Sequence, residues 1–214
     1  AAVWAEVLGI DPDTIAAGDD FFERGGNSLS AMRVVAGQPR GRVVLWGHCV
    51  GSAIAIEVAR LLTAQGHPPA HLFIGAKLLY APDALRESIA YVAGMSYEDI
   101  THWLTVETGF TGFDELGPGY ADLLVRTFRH DSVSANEYYL AGAEPGAAPP
   151  LAVPTTAVFA DDDPVTVGYR DSYQDWKLFA AGVQLREVGG GGHYFTRTRP
   201  AKVAELVGEA LGDE

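Results

Sequence analysis

Cysteine is almost missing from this chain. Among 214 residues there is one, Cys49, so no internal disulfide forms, and no Cys/His spacing of the zinc-binding kind is present. Basic residues are scarce as well: 15 Lys and Arg stand against 28 Asp and Glu, a formal net charge of −13 at pH 7. A surface that acidic repels phosphate backbones and anionic lipid, which argues against nucleic-acid and membrane-surface partners. A long apolar run is missing too. The most apolar stretch, Val43 to Ile56, is interrupted by Gly47, His48, Gly51 and Ser52. It falls short of the roughly 18 to 20 residues that a membrane span needs. No basic-then-apolar signal segment opens the sequence. What remains is 48% hydrophobic and 20% charged, a composition that builds a packed core rather than a disordered chain. The expectation is a soluble, cytoplasmic protein with no metal site.

The chain divides into two unequal pieces. Residues 1–35 read as a short helical module. Val3, Trp4, Val7 and Leu8 recur at helical spacing, Gly9 stops that helix, and Asn27 or Ser28 caps a second one starting at Leu29 and Met32. Thirty-five residues lie below the roughly 40 at which a core becomes self-sufficient. Residues 36–214 read as α/β. Strands are expected at Arg42–Trp46, Leu72–Ile74, Thr155–Ala160 and Val183–Val188, and helices at Ser52–Gln65, Tyr169–Ala181 and Ala201–Leu211. Ile54, Val58, Leu61 and Leu62 would form the buried face of the first of these helices. Ala84–Leu140 is mostly helical, with Ser96 and Asp99 spaced as a capping box and Gly109 as a stop. Alternating strands and helices predict a parallel, helix-covered sheet.

The sharpest local signal is Gly47-His48-Cys49-Val50-Gly51, lying between a strand and an amphipathic helix. A nucleophile on such a turn sits in strained backbone, which calls for small residues two positions away on each side. The helix N-terminus beyond it favours negative charge, lowering a thiol's pKa and helping to hold an oxyanion. Two further segments follow strands. Ala160-Asp161-Asp162-Asp163-Pro164 supplies acids that could orient a histidine. Gly189-Gly190-Gly191-Gly192-His193-Tyr194-Phe195 is a loop that lets an imidazole come close to the turn. Nucleophile, acid, histidine is the chain order used by hydrolases built on this elbow.

At these residues the chain resembles the thioesterases of α/β-hydrolase fold that terminate nonribosomal peptide and polyketide assembly lines. Gly47–Gly51, Leu72–Ala76, Phe128-Arg129-His130-Asp131 with Tyr138, Asp163-Pro164 and Gly191–Phe195 carry the likeness. The resemblance implies an α/β-hydrolase thioesterase domain with a helical lid over about 84–140. It implies Cys49 as nucleophile, His193 as base and the Val50 backbone N–H as an oxyanion donor. Some members place the acid after the strand beside the elbow helix. Here that strand ends Gly75-Ala76, so Asp163 is the preferred acid, with Asp161 and Asp162 as alternatives. Trp103, Phe110 and Phe113 would line the product pocket or pack the lid.

The first piece resembles the front half of a peptidyl carrier domain, through Asp19-Asp20-Phe21-Phe22-Glu23-Arg24-Gly25-Gly26-Asn27-Ser28-Leu29-Ser30. That likeness implies a 4′-phosphopantetheine arm on Ser28, attached by a phosphopantetheinyl transferase and served by upstream synthetase modules. The fold expected is thus a small all-helical carrier part (1–35) followed by the thioesterase domain (36–214). The carrier likeness stops near Val35 and the thioesterase likeness starts near Arg42. Carrier helices, the strands before the elbow and the loop giving a second oxyanion donor are all missing between them, which reads as omission of residues from a longer protein.

Cysteine stands where most relatives carry serine. Transfer from a thioester to Cys49 is nearly balanced and leaves a more reactive acyl-enzyme than an oxoester would. Resemblance links cysteine-bearing members to demanding cyclisations. The expected function is therefore release of a peptidyl or acyl chain, by ring closure or hydrolysis. A stand-alone cysteine hydrolase of the dienelactone-hydrolase kind is one alternative. A non-catalytic platform that docks a loaded carrier is another.

Overall fold

The computed structural model describes residues 42–113 and 118–212, together with Asp11 and Thr14. Ser28 and the carrier-like stretch around it lie outside the described residues. The chain runs through β1 (Val44–His48), α1 (Gly51–Ala64) and β2 (His71–Gly75). Three helices follow: α2 (Pro82–Gly94), α3 (Tyr97–Val106) and α4 (Pro118–Gly142). Then come β3 (Thr155–Ala160), the single turn α5 (Tyr169–Ser172), β4 (Val183–Val188), the single turn α6 (Phe195–Thr198) and α7 (Pro200–Leu211). Among the described residues the sheet has four strands in the order β1-β2-β3-β4, all parallel. Parallel neighbours require a crossover between each pair, and α1, the α2–α4 group and the α5 region supply them.

The central strands are buried on both sides, as parallel strands covered by helices must be. Leu72, Ile74, Ala157 and Phe159 face one core with Ala53, Ile56 and Ala59 of α1 and with Tyr139, Trp176 and Phe179. The alternate residues Phe73, Val158 and Ala160 face a second core with Val188, Phe195 and Leu206. Phe73, Phe159, Ile74 and Leu72 are fully buried, and each side chain of this kind contributes about 1.5–3 kcal/mol. Met95, Ile100, Leu104 and Val125 form a separate small core within the α2–α4 group. That group therefore packs on itself as a unit above the sheet.

Several boundaries differ from expectation for identifiable reasons. The first strand runs Val44–His48 rather than Arg42–Trp46, because its pairing begins with Val44 opposite His71. His71, buried in β2, is accommodated by a 2.9 Å hydrogen bond with the Thr156 hydroxyl. The buried side of α1 is Ser52, Ala53, Ala55, Ile56, Val58, Ala59 and Leu62, whereas Ile54 and Leu61 are only partly buried. Small alanines allow the helix to approach both the sheet and α4, which widens the buried face beyond one stripe. The helix expected over Tyr169–Ala181 is instead the turn α5 followed by 3-10 helix over Tyr173–Leu178. The tighter winding seats Trp176, whose fully buried indole donates to the Lys77 carbonyl at 3.1 Å. The capping box forms as the spacing predicts. The Asp99 N–H donates to Ser96 Oγ at 3.1 Å and the Ser96 N–H to Asp99 Oδ2 at 3.0 Å.

Candidate active site

β1 ends at His48, and Cys49 follows with φ +52°. This region is costly for a residue with a Cβ, about 1–3 kcal/mol, and such strain concentrates at functional sites. The turn is held from several sides. The Cys49 N–H donates to the Gly75 carbonyl of β2 at 2.8 Å, and the Ser52 N–H to the Cys49 carbonyl at 3.1 Å. Gly47 is required: a Cβ there would lie 2.5 Å from Ser52 Cα, 2.8 Å from the Gly51 oxygen and 2.9 Å from Ala55 Cβ. Gly51 is not required, contrary to the expectation of a matched pair, since a Cβ there meets nothing within 4 Å. Ala76, at the end of the neighbouring strand, also has positive φ, +50°.

The carboxyl ends of β1, β3 and β4 lie along the same edge of the parallel sheet, which is where open α/β sheets hold their ligands. Asp163 follows β3 and His193 follows β4, each 3% exposed. His193 Nδ1 donates to Asp163 Oδ2 at 3.0 Å. Two further donors fix that carboxylate, the Val165 N–H on Oδ1 at 2.9 Å and the Thr166 hydroxyl on Oδ2 at 2.9 Å. With Nδ1 so engaged, Nε2 is the ring nitrogen left for Cys49, and the two groups lie near enough to shift each other's protonation. The structure thus pairs His193 with Asp163 and sets that pair beside Cys49.

Asp161 and Asp162 do something else. The Gly190 N–H donates to Asp161 Oδ1 at 2.7 Å, the Gly191 N–H to Asp162 Oδ2 at 3.0 Å and the Gly192 N–H to Asp162 Oδ1 at 2.7 Å. These three glycines have φ of +70°, +114° and +64°, a run of left-handed backbone that residues with a Cβ rarely adopt. One aspartate therefore orients the imidazole while its two predecessors clamp the loop that carries it.

The electrostatics favour a charge-separated pair. Burial pushes the Cys49 thiol up, but the hydrogen bond and charge of His193, the Lys77 ammonium and the Val50 N–H together hold it below its ordinary value. Burial favours a neutral His193 ring, yet Asp163 and the Cys49 sulfur raise it to about 9. Burial raises the Asp163 carboxyl as well, and its hydrogen bond to His193 overcomes this and keeps it below the usual range. The shifts of all three groups run in the direction of a Cys49 thiolate, a His193 imidazolium and an Asp163 carboxylate.

Three residues of the site were not singled out in the sequence. His48 Nε2 donates to the His193 carbonyl at 2.7 Å, while Nδ1 is buried with no partner. Burial, joined by the charge of His193, lowers the His48 pKa to about 4, so this ring stays neutral. Lys77 lies beyond β2 with its Nζ 5.6 Å from the Tyr80 ring centre and 5.7 Å from that of Tyr139. Asn136 belongs to α4. A cavity of about 160 Å³ is lined by Cys49, Val50 and Lys77 below and by residues of α2–α4 above, Trp103 and Asn136 among them. Phe110 and Phe113 do not line it. They meet edge-to-face at 5.0 Å, and Phe110 with Tyr194 borders a separate apolar groove. Among the described residues no cluster of His, Cys, Asp and Glu is arranged to hold a metal, and no helix is long and apolar enough to cross a membrane.

The amino-acid sequence matches the model of the alpha/beta hydrolase family over residues 9–206. It is 30% identical over 137 residues to malformin synthetase mlfA of Aspergillus brasiliensis, a stretch covering 62% of this chain and 2% of that protein. It is 39% identical over 67 residues to nonribosomal peptide synthetase 8 of Aspergillus fumigatus, covering 31% of this chain and 1% of that protein. The chain therefore spans only a small part of the length of these curated relatives. Among solved structures, the RedJ thioesterase from the prodiginine biosynthetic pathway of Streptomyces coelicolor is similar, with a TM-score of 0.58 and 27% identity. That likeness covers 76% of this chain and 61% of RedJ. YbtT, the type II thioesterase of the yersiniabactin pathway, superposes with a TM-score of 0.64 over 87% of this chain and 74% of its own. At 16% identity that likeness speaks for the fold alone. The chain belongs to the alpha/beta hydrolase family, and its fold is that of the family's thioesterases.

Proposed function

We propose, from this family membership and from the Cys49–His193–Asp163 group, that the protein is a thioesterase that releases a peptidyl or acyl chain from an assembly line. The single observation carrying this reading is the nucleophile turn. A thiol that is held in strained backbone at a helix N-terminus, beside a buried imidazole fixed by a buried carboxylate, is arranged for acyl transfer. The likeness to RedJ and the matches to nonribosomal peptide synthetases support the substrate class.

The Cys49 thiolate attacks the carbonyl carbon of an acyl thioester, and the oxyanion so formed accepts from the Val50 N–H. As the tetrahedral adduct collapses, His193 gives its Nε2 proton to the departing thiolate, which leaves as a thiol. The acyl group now rests on Cys49. His193, neutral, then takes a proton from water or from a nucleophile within the chain, which attacks the same carbonyl and expels the Cys49 thiolate. Water yields the free acid, and an internal nucleophile yields a ring. Asp163 keeps Nδ1 protonated throughout and stabilises the imidazolium.

By the resemblance of Asp19–Ser30 to a carrier, Ser28 would hold a 4′-phosphopantetheine arm, which supplies a thiol bearing the acyl group. Ser28 lies outside the described residues, so no step above depends on it. Intact-mass measurement over time with an acyl-pantetheine thioester tests the reading. The expected result is an acyl adduct on the protein that is absent from Cys49→Ala and is followed by product. Product mass separates hydrolysis, which adds water, from ring closure. No adduct and equal turnover in both proteins would overturn it.

A further inference from the structure

The part of the Cys49 cavity built by α2, α3, α4 and the turn between α2 and α3 combines the apolar Val92, Met95, Trp103 and Phe128 with the polar Ser88, Ser132 and Asn136. Asn136 is the most deeply buried of those three polar residues. It lines the same cavity, is 3% exposed and sits on the second turn from the end of a long helix. Its Nδ2 donates to Ser88 Oγ of α2 at 3.0 Å, which fixes the amide, while Oδ1 has no hydrogen-bond partner. A buried carbonyl oxygen without a donor costs about 1–3 kcal/mol, so native proteins leave few of them without a reason. An apolar residue of similar size would fill the position without that cost. Asn136 lines a cavity that Cys49 also lines, so an acyl chain bound there is the group able to supply the missing donor.

We propose that Asn136 is a specificity-determining residue, whose Oδ1 accepts a hydrogen bond from an N–H or O–H carried by the acyl chain. This rests on the thioesterase reading above. It goes further in assigning the lid residue that distinguishes a donor-bearing acyl group from a plain hydrocarbon one. Sites built around a hydrogen-bonding group discriminate strongly against ligands that lack its partner, because the buried group is then left unpaired. Ser88 is the brace: by holding Nδ2 it fixes the orientation of the amide and couples α2 to α4.

The test uses the full chain and matched N-acetylcysteamine thioesters of hexanoic acid. One set carries an acetamido group at the second, third or fourth carbon, the other an acetoxy group of nearly the same shape with oxygen in place of N–H. For at least one position, kcat/KM is expected to favour the acetamido compound by about tenfold or more. In Asn136→Leu the ratio falls to about one, and in Asn136→Asp, which keeps an acceptor oxygen, the preference returns. A residue that merely braced two helices would change both compounds alike and leave the ratio intact. Equal rates for each pair in the unaltered protein, a measurement free of any folding defect, overturn the assignment of Asn136 while leaving the thioesterase reading standing. So does a ratio that persists in Asn136→Leu. Absence of any turnover together with absence of an adduct on Cys49 overturns both.

Discussion

His48 Nε2 lies 2.7 Å from the carbonyl oxygen of His193. The residue preceding Cys49 thus grips His193, across 145 positions of sequence. Because the acceptor is a carbonyl, His48 must carry its proton on Nε2, and its low pKa of about 4 keeps it from changing role near neutrality. His48→Phe keeps the ring packing against Tyr194 and Phe195 but removes the bond. The expected outcome is a fall of about tenfold to hundredfold in kcat with KM little changed, since the loss is in placement of the imidazole. Steady-state kinetics on a simple acyl thioester measure it.

The ion pair sets the pH profile. Cys49 is depressed and His193 raised to about 9. The thiolate–imidazolium form is lost on the acid side as the thiol protonates, and on the alkaline side as His193 deprotonates near pH 9. Acylation should therefore follow a bell. Asp163→Asn removes the negative charge that sustains the imidazolium, so the alkaline limb moves to lower pH. Its rate should drop by about 10²- to 10⁴-fold. Single-turnover acylation across pH reads both limbs.

Lys77 contributes a positive charge to the same thiol. Lys77→Met should raise the Cys49 pKa, so that the pH at which iodoacetamide alkylates Cys49 half-maximally moves upward. Lys77→Arg should keep most of the effect. An unchanged alkylation profile in Lys77→Met would show that the ammonium does not reach the sulfur.

The two glycines flanking the elbow should behave differently. Gly47→Ala places a Cβ 2.5 Å from Ser52 Cα, a backbone atom that cannot rotate away. A loss of about 1–3 kcal/mol or more is expected. Gly51→Ala enters open space at the start of α1, and should be neutral or stabilising by up to about 1 kcal/mol. Urea denaturation of the two variants compares them directly.

Asp162 clamps the His193 loop through two backbone N–H groups, those of Gly191 and Gly192. Asp162→Ala should leave the sheet intact and loosen the loop, lowering kcat by about tenfold. A circular dichroism melt alongside the kinetics separates this from global unfolding.

Much of the architecture was legible because it depends on local pattern. Strand and helix alternation reads from apolar runs such as Leu72–Ile74 and Thr155–Ala160, and the capping box reads from Ser96 and Asp99. The Gly47–Gly51 turn and the glycine run before His193 read equally well. Chain order alone grouped Cys49, the aspartate triplet and His193. What local pattern misjudged was the buried face of α1 and the winding after Tyr169, since both are set by neighbours distant in sequence, α4 for one and the seat of Trp176 for the other.

The sequence by itself determined the fold class, the elbow and a short set of candidate groups, because each of these is encoded in contiguous residues. Only the tertiary structure decided which of three adjacent aspartates meets the imidazole. Asp161 and Asp162 both reach the glycine loop, whereas Asp163, capping the 3-10 turn Pro164–Thr166, meets the imidazole. Tertiary structure also decided that Lys77 and Asn136 share a site with Cys49, and that His48, its neighbour in the chain, reaches the His193 carbonyl. Lys77 follows β2 and Asn136 lies near the end of the helical insertion, and nothing in their own neighbourhoods marks them. They meet because parallel strands end together and the α2–α4 group folds back over those ends.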